Sequence, residues 1–244
     1  MDQEPVSGEI NLPIVVYTFH KNFDVLKIFL GQCEKFFPNQ RIIILSDEPY
    51  KSNYKNILYK DSDAHYLHWK DVSKEAGDYF IYCQEDFLLY DKVPIDAITK
   101  AFKTFKNNGW GYLRLIKSGY FNDANPREIS DGIFEINSND WRVNFAMQPT
   151  IWQKNDFYKV YEDSRIMKIF DEDHIRDSVK KFGLKGGYCY NGENKRGSNH
   201  WNSKIFPAIS TAIVKGKWNI SEYSDELFPM KEKYDINFNE RGIR

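Results

Sequence analysis

The hydrophobic positions of this chain change period several times, and each change marks an element. Residues 14–19, IVVYTF, form a short, β-branched, continuously apolar run, the pattern of a strand covered on both faces of a parallel sheet. Asn22 then stands where a helix cap belongs. Val25, Leu26, Phe29, Leu30, Cys33 and Phe37 recur on one face until Pro38 stops that helix. RIIILSD (41–47) predicts a second buried strand, DYFIYCQ (78–84) a third and WGYLRLI (110–116) a fourth. Between the last two, Pro94 opens an amphipathic helix with Ile95, Ile98, Phe102 and Phe105 at helical spacing. This alternation predicts an α/β protein with an open, mixed, mainly parallel sheet flanked by helices.

Beyond residue 116 the pattern loosens. GIFEI and WRVNFAM flank the turn-rich NSND, so a hairpin is expected near 132–147. A short helix after Asn155 and another over about 171–182, closed by Gly183, should follow. Residues 183–204 are rich in glycine and asparagine and read as a mobile loop. PAISTAIV (207–214) supplies a late strand. Residues 1–11 and 220–244 read as tails, the second docked or partly ordered, around a single domain.

Composition narrows the classes. With 244 residues, 41% apolar and 16% aromatic, the chain has ample material for a core. Its 34 basic and 35 acidic residues nearly cancel, and no long block carries one sign, so no nucleic-acid surface is expected. MDQEPVSGEINLP lacks the regions of a signal peptide, and no apolar run approaches the ~20 residues that span a bilayer. A cytosolic protein without a transmembrane segment is the expectation. Cys33, Cys83 and Cys189 are odd in number and widely spaced, which argues against a disulfide framework and against a cysteine zinc site.

Candidate chemistry collects at the strand ends, where open α/β sheets bind ligands. Thr18, His20 and Asn22 follow the first strand, Ser46 and Asp47 the second, and Glu85 and Asp86 the third. Neighbours on a regular strand point to opposite faces, so Glu85 and Asp86 share an ion only if the strand bends after Gln84. Bent, they offer hard oxygens suited to Mg²⁺ or Mn²⁺ bridging to phosphate. Unbent, they are a solvated pair at a strand end.

IVVYTFHKNFDVLKIFLGQCEKFFPNQRIIILSDEP, DYFIYCQEDFLLYDKVPIDAITKAF, FAMQPTIWQKNDF and FPAISTAIVKGKW together resemble the nucleotide-sugar glycosyltransferases of the GT-A fold, over roughly residues 12–218. The resemblance is to small single-domain members that add sugars to glycans. It implies a nucleotide-sugar donor, a glycan acceptor and Mn²⁺ or Mg²⁺ as cofactor. Thr18, His20 and Asp47 would lie near the nucleoside, and QED (84–86) would replace the family's Asp-X-Asp. Asp86 is then the natural metal ligand, with Glu85 on the metal, on sugar hydroxyls of the donor, or on neither. FAMQPTIW resembles the segment near donor sugar and acceptor, where Gln148 would bond hydroxyls and Trp152 would offer a ring face or belong to the core.

DEDH (171–174) begins a helix, where carboxylates are favoured without any catalytic task. It also leaves Glu172 and Asp173 as candidate general bases, Asp173 ahead. Lys195 and Arg196 would close over a diphosphate, His200 would serve as a late metal ligand or lie on a surface loop, and Lys215 and Lys217 would be alternative phosphate partners or solvated strand-end lysines. The expected function is transfer of a sugar from a nucleoside diphosphate, UDP preferred, to a glycan hydroxyl with inversion. Two competitors remain. A sugar-phosphate nucleotidyltransferase could use the same sheet and metal, but no glycine-rich phosphate loop follows the first strand, where TFHKNFD stands. A non-catalytic glycan-binding protein could use the six tryptophans and sixteen tyrosines as stacking platforms.

Overall fold

The computed structural model describes residues 12–60, 71–72, 74–118, 127–136, 145–163, 172–196 and 200–244. The expected N-terminal tail and the NSND turn lie outside the described residues. The central element is a nine-stranded sheet. Its strands are β1 (Ile14–Tyr17), β2 (Ile42–Ser46), β3 (Lys55–Leu58), β4 (Tyr79–Gln84), β6 (Tyr112–Arg114), β7 (Arg127–Ser130), β8 (Ile133–Glu135), β9 (Thr150–Gln153) and β10 (Gly186–Cys189). The short β5 (Leu88–Leu89) pairs outside it with β13 (Ala208–Ile209).

In space the order is β3-β2-β1-β4-β9-β6-β10-β8-β7. β9 is antiparallel to β4 and β6, β8 is antiparallel to β10 and β7, and the other pairs are parallel. β8 and β9 therefore run against the rest of the sheet. β1 has a parallel neighbour on each side, with Tyr17 opposite Leu45 of β2 and Gln84 of β4. The chain first builds outward from β1 through β2 and β3, then returns to place β4 on the other flank. That reversal opens a crevice at the carboxyl ends of β1 and β4.

Among the described residues, helices accompanying the sheet include α1 (Phe23–Phe36), α2 (Ile95–Asn107), α3 (Lys154–Glu162), α4 (Glu172–Lys181), α5 (Ile220–Tyr234) and α6 (Phe238–Arg241). The apolar runs serve two cores at once. Ile14, Val16, Ile42, Ile44, Ile81 and Cys83 join one cluster with α1, α2 and α5. Val15, Tyr17, Ile43, Leu45, Phe80 and Tyr82 join another with α3 and α4. Alternate residues thus face opposite layers, which is why these strands show no polar face.

Two expectations need correction. Residues 183–204 are not one loop: Gly186–Cys189 is β10, buried throughout and paired with β6 and β8. A Cβ on Gly186 would lie 2.2 Å from Tyr112 Cζ, and one on Gly187 2.3 Å from Trp110 Cζ3. These glycines admit neighbouring aromatic rings rather than loosen the chain. After them, β11 (Lys195–Arg196) and β12 (His200–Trp201) form a two-stranded ribbon.

A hairpin is present at β7–β8, whereas the turn of the hairpin expected near 132–147 lies outside the described residues. The late strand is divided between β13 and β14 (Ile213–Val214), which pairs with β15 (Lys217–Trp218). The terminal segment is helical and well anchored. Tyr234 donates to Gln32 Oε1 at 2.9 Å, Trp218 N–H to Gly242 O at 3.1 Å and Arg244 N–H to Trp218 O at 2.9 Å. All three cysteines are buried free thiols, and among the described residues no helix is long and apolar enough to cross a membrane.

Candidate functional site

A cavity of about 440 Å³ lies at the crevice between β1 and β4. Tyr17, Phe19 and Asn22 enter it from the end of β1, and Gln84 to Phe87 from the end of β4. Because β9 runs the other way, the residues before it, Ala146 to Gln148, reach the same rim. Ser118 follows β6, Glu172 and Arg176 come from the first turns of α4, and His200, Thr211 and Ile213 complete the wall.

The chain does bend after Gln84. Phe87 N–H donates to Gln84 O at 3.3 Å, closing a turn that brings Glu85 and Asp86 into one cavity. Glu85 is 6% exposed, and Asn22 Nδ2 donates to its Oε1 at 2.6 Å. Asn22 makes no capping bond to α1, so its side chain serves the pocket instead. Asp86 Oδ1 is buried and has no hydrogen-bond partner among the described residues. Burial holds both carboxyls above their ordinary range, and the charge of Asp86 pushes Glu85 further. Asn22 and Arg241 act in the opposite sense on Glu85.

On the facing wall, Glu172 is fixed twice. Met147 N–H donates to Oε1 at 2.8 Å, and Arg176 Nη2 to Oε2 at 2.7 Å. Arg176, 6% exposed, also donates through Nε to Phe145 O at 2.9 Å and through Nη1 to Asp173 Oδ1 at 2.8 Å. The Asp173 side chain is 71% exposed and does not line the cavity. Of these two candidates, Glu172 therefore lines the cavity and Asp173 does not. Gln148 Nε2 and His200 Nδ1 lie 2.8 Å apart, and His200 Nε2 is 3.1 Å from Thr211 Oγ1. Burial pushes the His200 pKa down to about 4.

Six sequence candidates thus converge: Asn22, Glu85, Asp86, Gln148, Glu172 and His200. Others lie elsewhere. Thr18 is fully buried, with its carbonyl accepting from Tyr59 OH at 3.0 Å. His20 N–H donates to Asp47 Oδ1 at 2.7 Å and its ring pairs with Asp47 Oδ2, so these two staple the β1 and β2 ends together outside the cavity. Arg196 pairs with Glu226 and donates to Glu222 O at 3.1 Å, which holds it on α5 and away from any diphosphate in the cavity. Lys195 is exposed beside the Trp201 ring. Lys215, with φ +50°, and Lys217 are exposed at the β14–β15 turn. Trp152 is fully buried among Tyr112, Phe145 and Phe157 and belongs to the core.

Sequence reasoning missed Tyr17, Phe19, Ser118, Arg176 and Thr211. Arg176 alone carried a local signal, standing four residues after Glu172 on a helix. The donor set can be tested against a divalent cation. Asp86 supplies an unpartnered buried oxygen and Glu85 a second carboxylate, while His200 has both nitrogens engaged in hydrogen bonds. Among the described residues no group of three or more His, Cys, Asp and Glu could hold a metal by itself. The residues fit an ion that takes one or two carboxylates and completes its shell with phosphate and water, the habit of Mg²⁺.

No family model matches the chain, and no curated protein matches its sequence. Solved structures do resemble it in shape. A cytidylyltransferase from Leptospira borgpetersenii is similar over 95% of this chain and 98% of that one, with 14% identity and a TM-score of 0.49. The galactosyltransferase LgtC, solved with donor and acceptor sugar analogues, is similar over 73% of each chain, with 13% identity and a TM-score of 0.46. The CMP-2-keto-3-deoxy-manno-octonic acid synthetase with CTP is similar over 73% of this chain and 89% of that one, with 9% identity and a TM-score of 0.46.

Proposed function

We propose that this chain is a metal-dependent glycosyltransferase that moves a sugar from a nucleoside-diphosphate sugar, UDP-linked in our reading, to a glycan hydroxyl with inversion. One observation carries the reading: two adjacent carboxylates share a cavity at the sheet's switch point, and the buried Asp86 Oδ1 has no partner among the described residues. Glu172 adds a third carboxylate, and the guanidinium of Arg176 is already engaged by it. A diphosphate entering such a cavity needs a compensating cation. Asp86 and Glu85 would hold that ion, which supplies charge compensation for the departing diphosphate.

The chain's own groups divide the remaining work. Asn22 keeps Glu85 turned into the cavity, and Gln148 offers an amide to sugar hydroxyls. Glu172 is the group we assign to take the acceptor's proton, since Met147 and Arg176 hold it at the wall. Calorimetric titration of UDP with and without Mn²⁺, followed by turnover of UDP-sugars, tests the reading. Mn²⁺-dependent UDP binding, lost in a folded Asp86→Ala variant, is expected. Full binding and turnover in EDTA would overturn the metal role. Pyrophosphate release from CTP and a sugar acid would favour a nucleotidyltransferase, and glycan binding without nucleotide binding a lectin-like protein.

A further inference from the structure

Gln148 is 2% exposed and presents one satisfied and one unsatisfied atom. Its Nε2 donates to His200 Nδ1 at 2.8 Å, whereas its Oε1 is buried without a hydrogen-bond partner among the described residues. An amide N–H on Nδ1 requires a lone pair there, so the imidazole proton belongs on Nε2. That nitrogen then donates to Thr211 Oγ1 at 3.1 Å. A neutral ring is required throughout, and burial of His200 favours it.

Thr211 is itself held in a rare conformation. Its φ of +69° lies in the left-handed region, which a β-branched residue seldom enters. The buried Asn219 donates through Nδ2 to Thr211 O at 3.2 Å, and the next residue, Ala212, donates its N–H to Asp86 O at 3.1 Å. Strain retained beside a cavity, and fixed by its surroundings, points to a positional demand on this side chain.

We propose that Thr211, His200 and Gln148 form an orienting relay that holds Gln148 Oε1 toward the cavity as the acceptor for a hydroxyl of the transferred sugar. Gln148 is the specificity-determining group, and His200 and Thr211 are positioning residues rather than ligands. The relay explains why a histidine in this wall has no nitrogen left for a metal. It also defines the ligand chemistry: the sugar must donate at that point, so a deoxy or fluoro analogue there leaves Oε1 buried and unpaired. This inference rests on the glycosyltransferase reading above.

The test separates the nucleotide from the sugar. Affinities for UDP, UDP-glucose, UDP-galactose and UDP-N-acetylglucosamine are measured with Mn²⁺ in wild type and in Gln148→Leu, His200→Phe and Thr211→Gly. UDP affinity should stay within about twofold, while the extra affinity contributed by the sugar falls by about tenfold in each variant, the worth of one hydrogen bond. An unchanged sugar contribution in His200→Phe and Thr211→Gly would overturn the relay. Failure of UDP to bind wild type would instead strike the functional reading beneath it. Nitrogen-15 spectra of the wild-type His200 ring give a readout independent of any ligand. The Nε2–H tautomer is expected at neutral pH, and an Nδ1–H tautomer would reverse the amide and refute the proposal.

Discussion

Asp86 concentrates the site's conflict between folding and function. Its carboxyl and that of Glu85 bind protons more tightly when folded than when unfolded, because burial disfavours the charged forms. Their contribution to stability is therefore fully present below the unfolded value of about 4 and is lost as pH rises through the folded values. The metal-free protein should accordingly show a melting temperature that Asp86→Asn raises by a few degrees at pH 8 and hardly changes at pH 4, measured by calorimetry across that range. Mn²⁺ should narrow the gap at pH 8, since it compensates the charge in wild type alone. The neighbouring pair Glu172 and Asp173 gives a second test. Glu172→Gln should lower glycosyl transfer by about 10²–10⁴ with nucleotide binding retained, while the exposed Asp173→Asn should change it less than about tenfold. Rapid-quench assays with matched UDP titrations would read both. The acidic pair was legible in the sequence because hydrophobic periodicity breaks there. Asp173 was ranked above Glu172 because a helical pattern without partners does not say which side meets the cavity. The backbone N–H of Met147 decides that, and it lies 25 residues away in the chain.

The central strands could be read from composition because their environment is uniform. β1, β2 and β4 are apolar on both faces, and helices cover both layers. β10 was misread as part of a mobile loop for the opposite reason. Its glycines carry no hydrophobic signal, and their purpose lies in the rings of Tyr112 and Trp110 on the neighbouring strand and its approach. Gly187→Ala should destabilise the protein by about 1–3 kcal/mol in urea titrations, the usual penalty for overpacking a filled core. Gly183→Ala, at φ +61° with nothing near the added carbon, should show only a backbone penalty of about 1 kcal/mol. A larger loss at Gly183 than at Gly187 would contradict the packing account of β10. The ribbon β11–β12 shows the same limitation on a smaller scale. Arg196 looked like a phosphate ligand beside glycine and lysine, yet its partner Glu226 stands on α5, 30 residues further along the chain.

The molecule's last helices close a circuit back to its first strand. Arg241 on α6 pairs with Asp24 of α1 and donates to the carbonyl of Lys21, next to Asn22, which in turn holds Glu85. Arg241→Gln should therefore increase hydrogen exchange at residues 20–24 and weaken Mn²⁺ binding by about tenfold, roughly the worth of one hydrogen bond whose support is lost. Unchanged exchange and metal affinity would show the contact to be incidental. Nothing in residues 220–244 announced this role, since their anchors are distributed along the whole chain. The circuit also has an order in time. A chain made from its N-terminus displays Glu85 and Asp86 to water until His200, Thr211 and Ile213 have been synthesised, and acquires Arg241 later still. The carboxylates thus remain hydrated through most of synthesis. They lose that hydration when this wall arrives, before the guanidinium that eases Glu85, so the unfavourable burial of both carboxyls is deferred to a late stage of assembly.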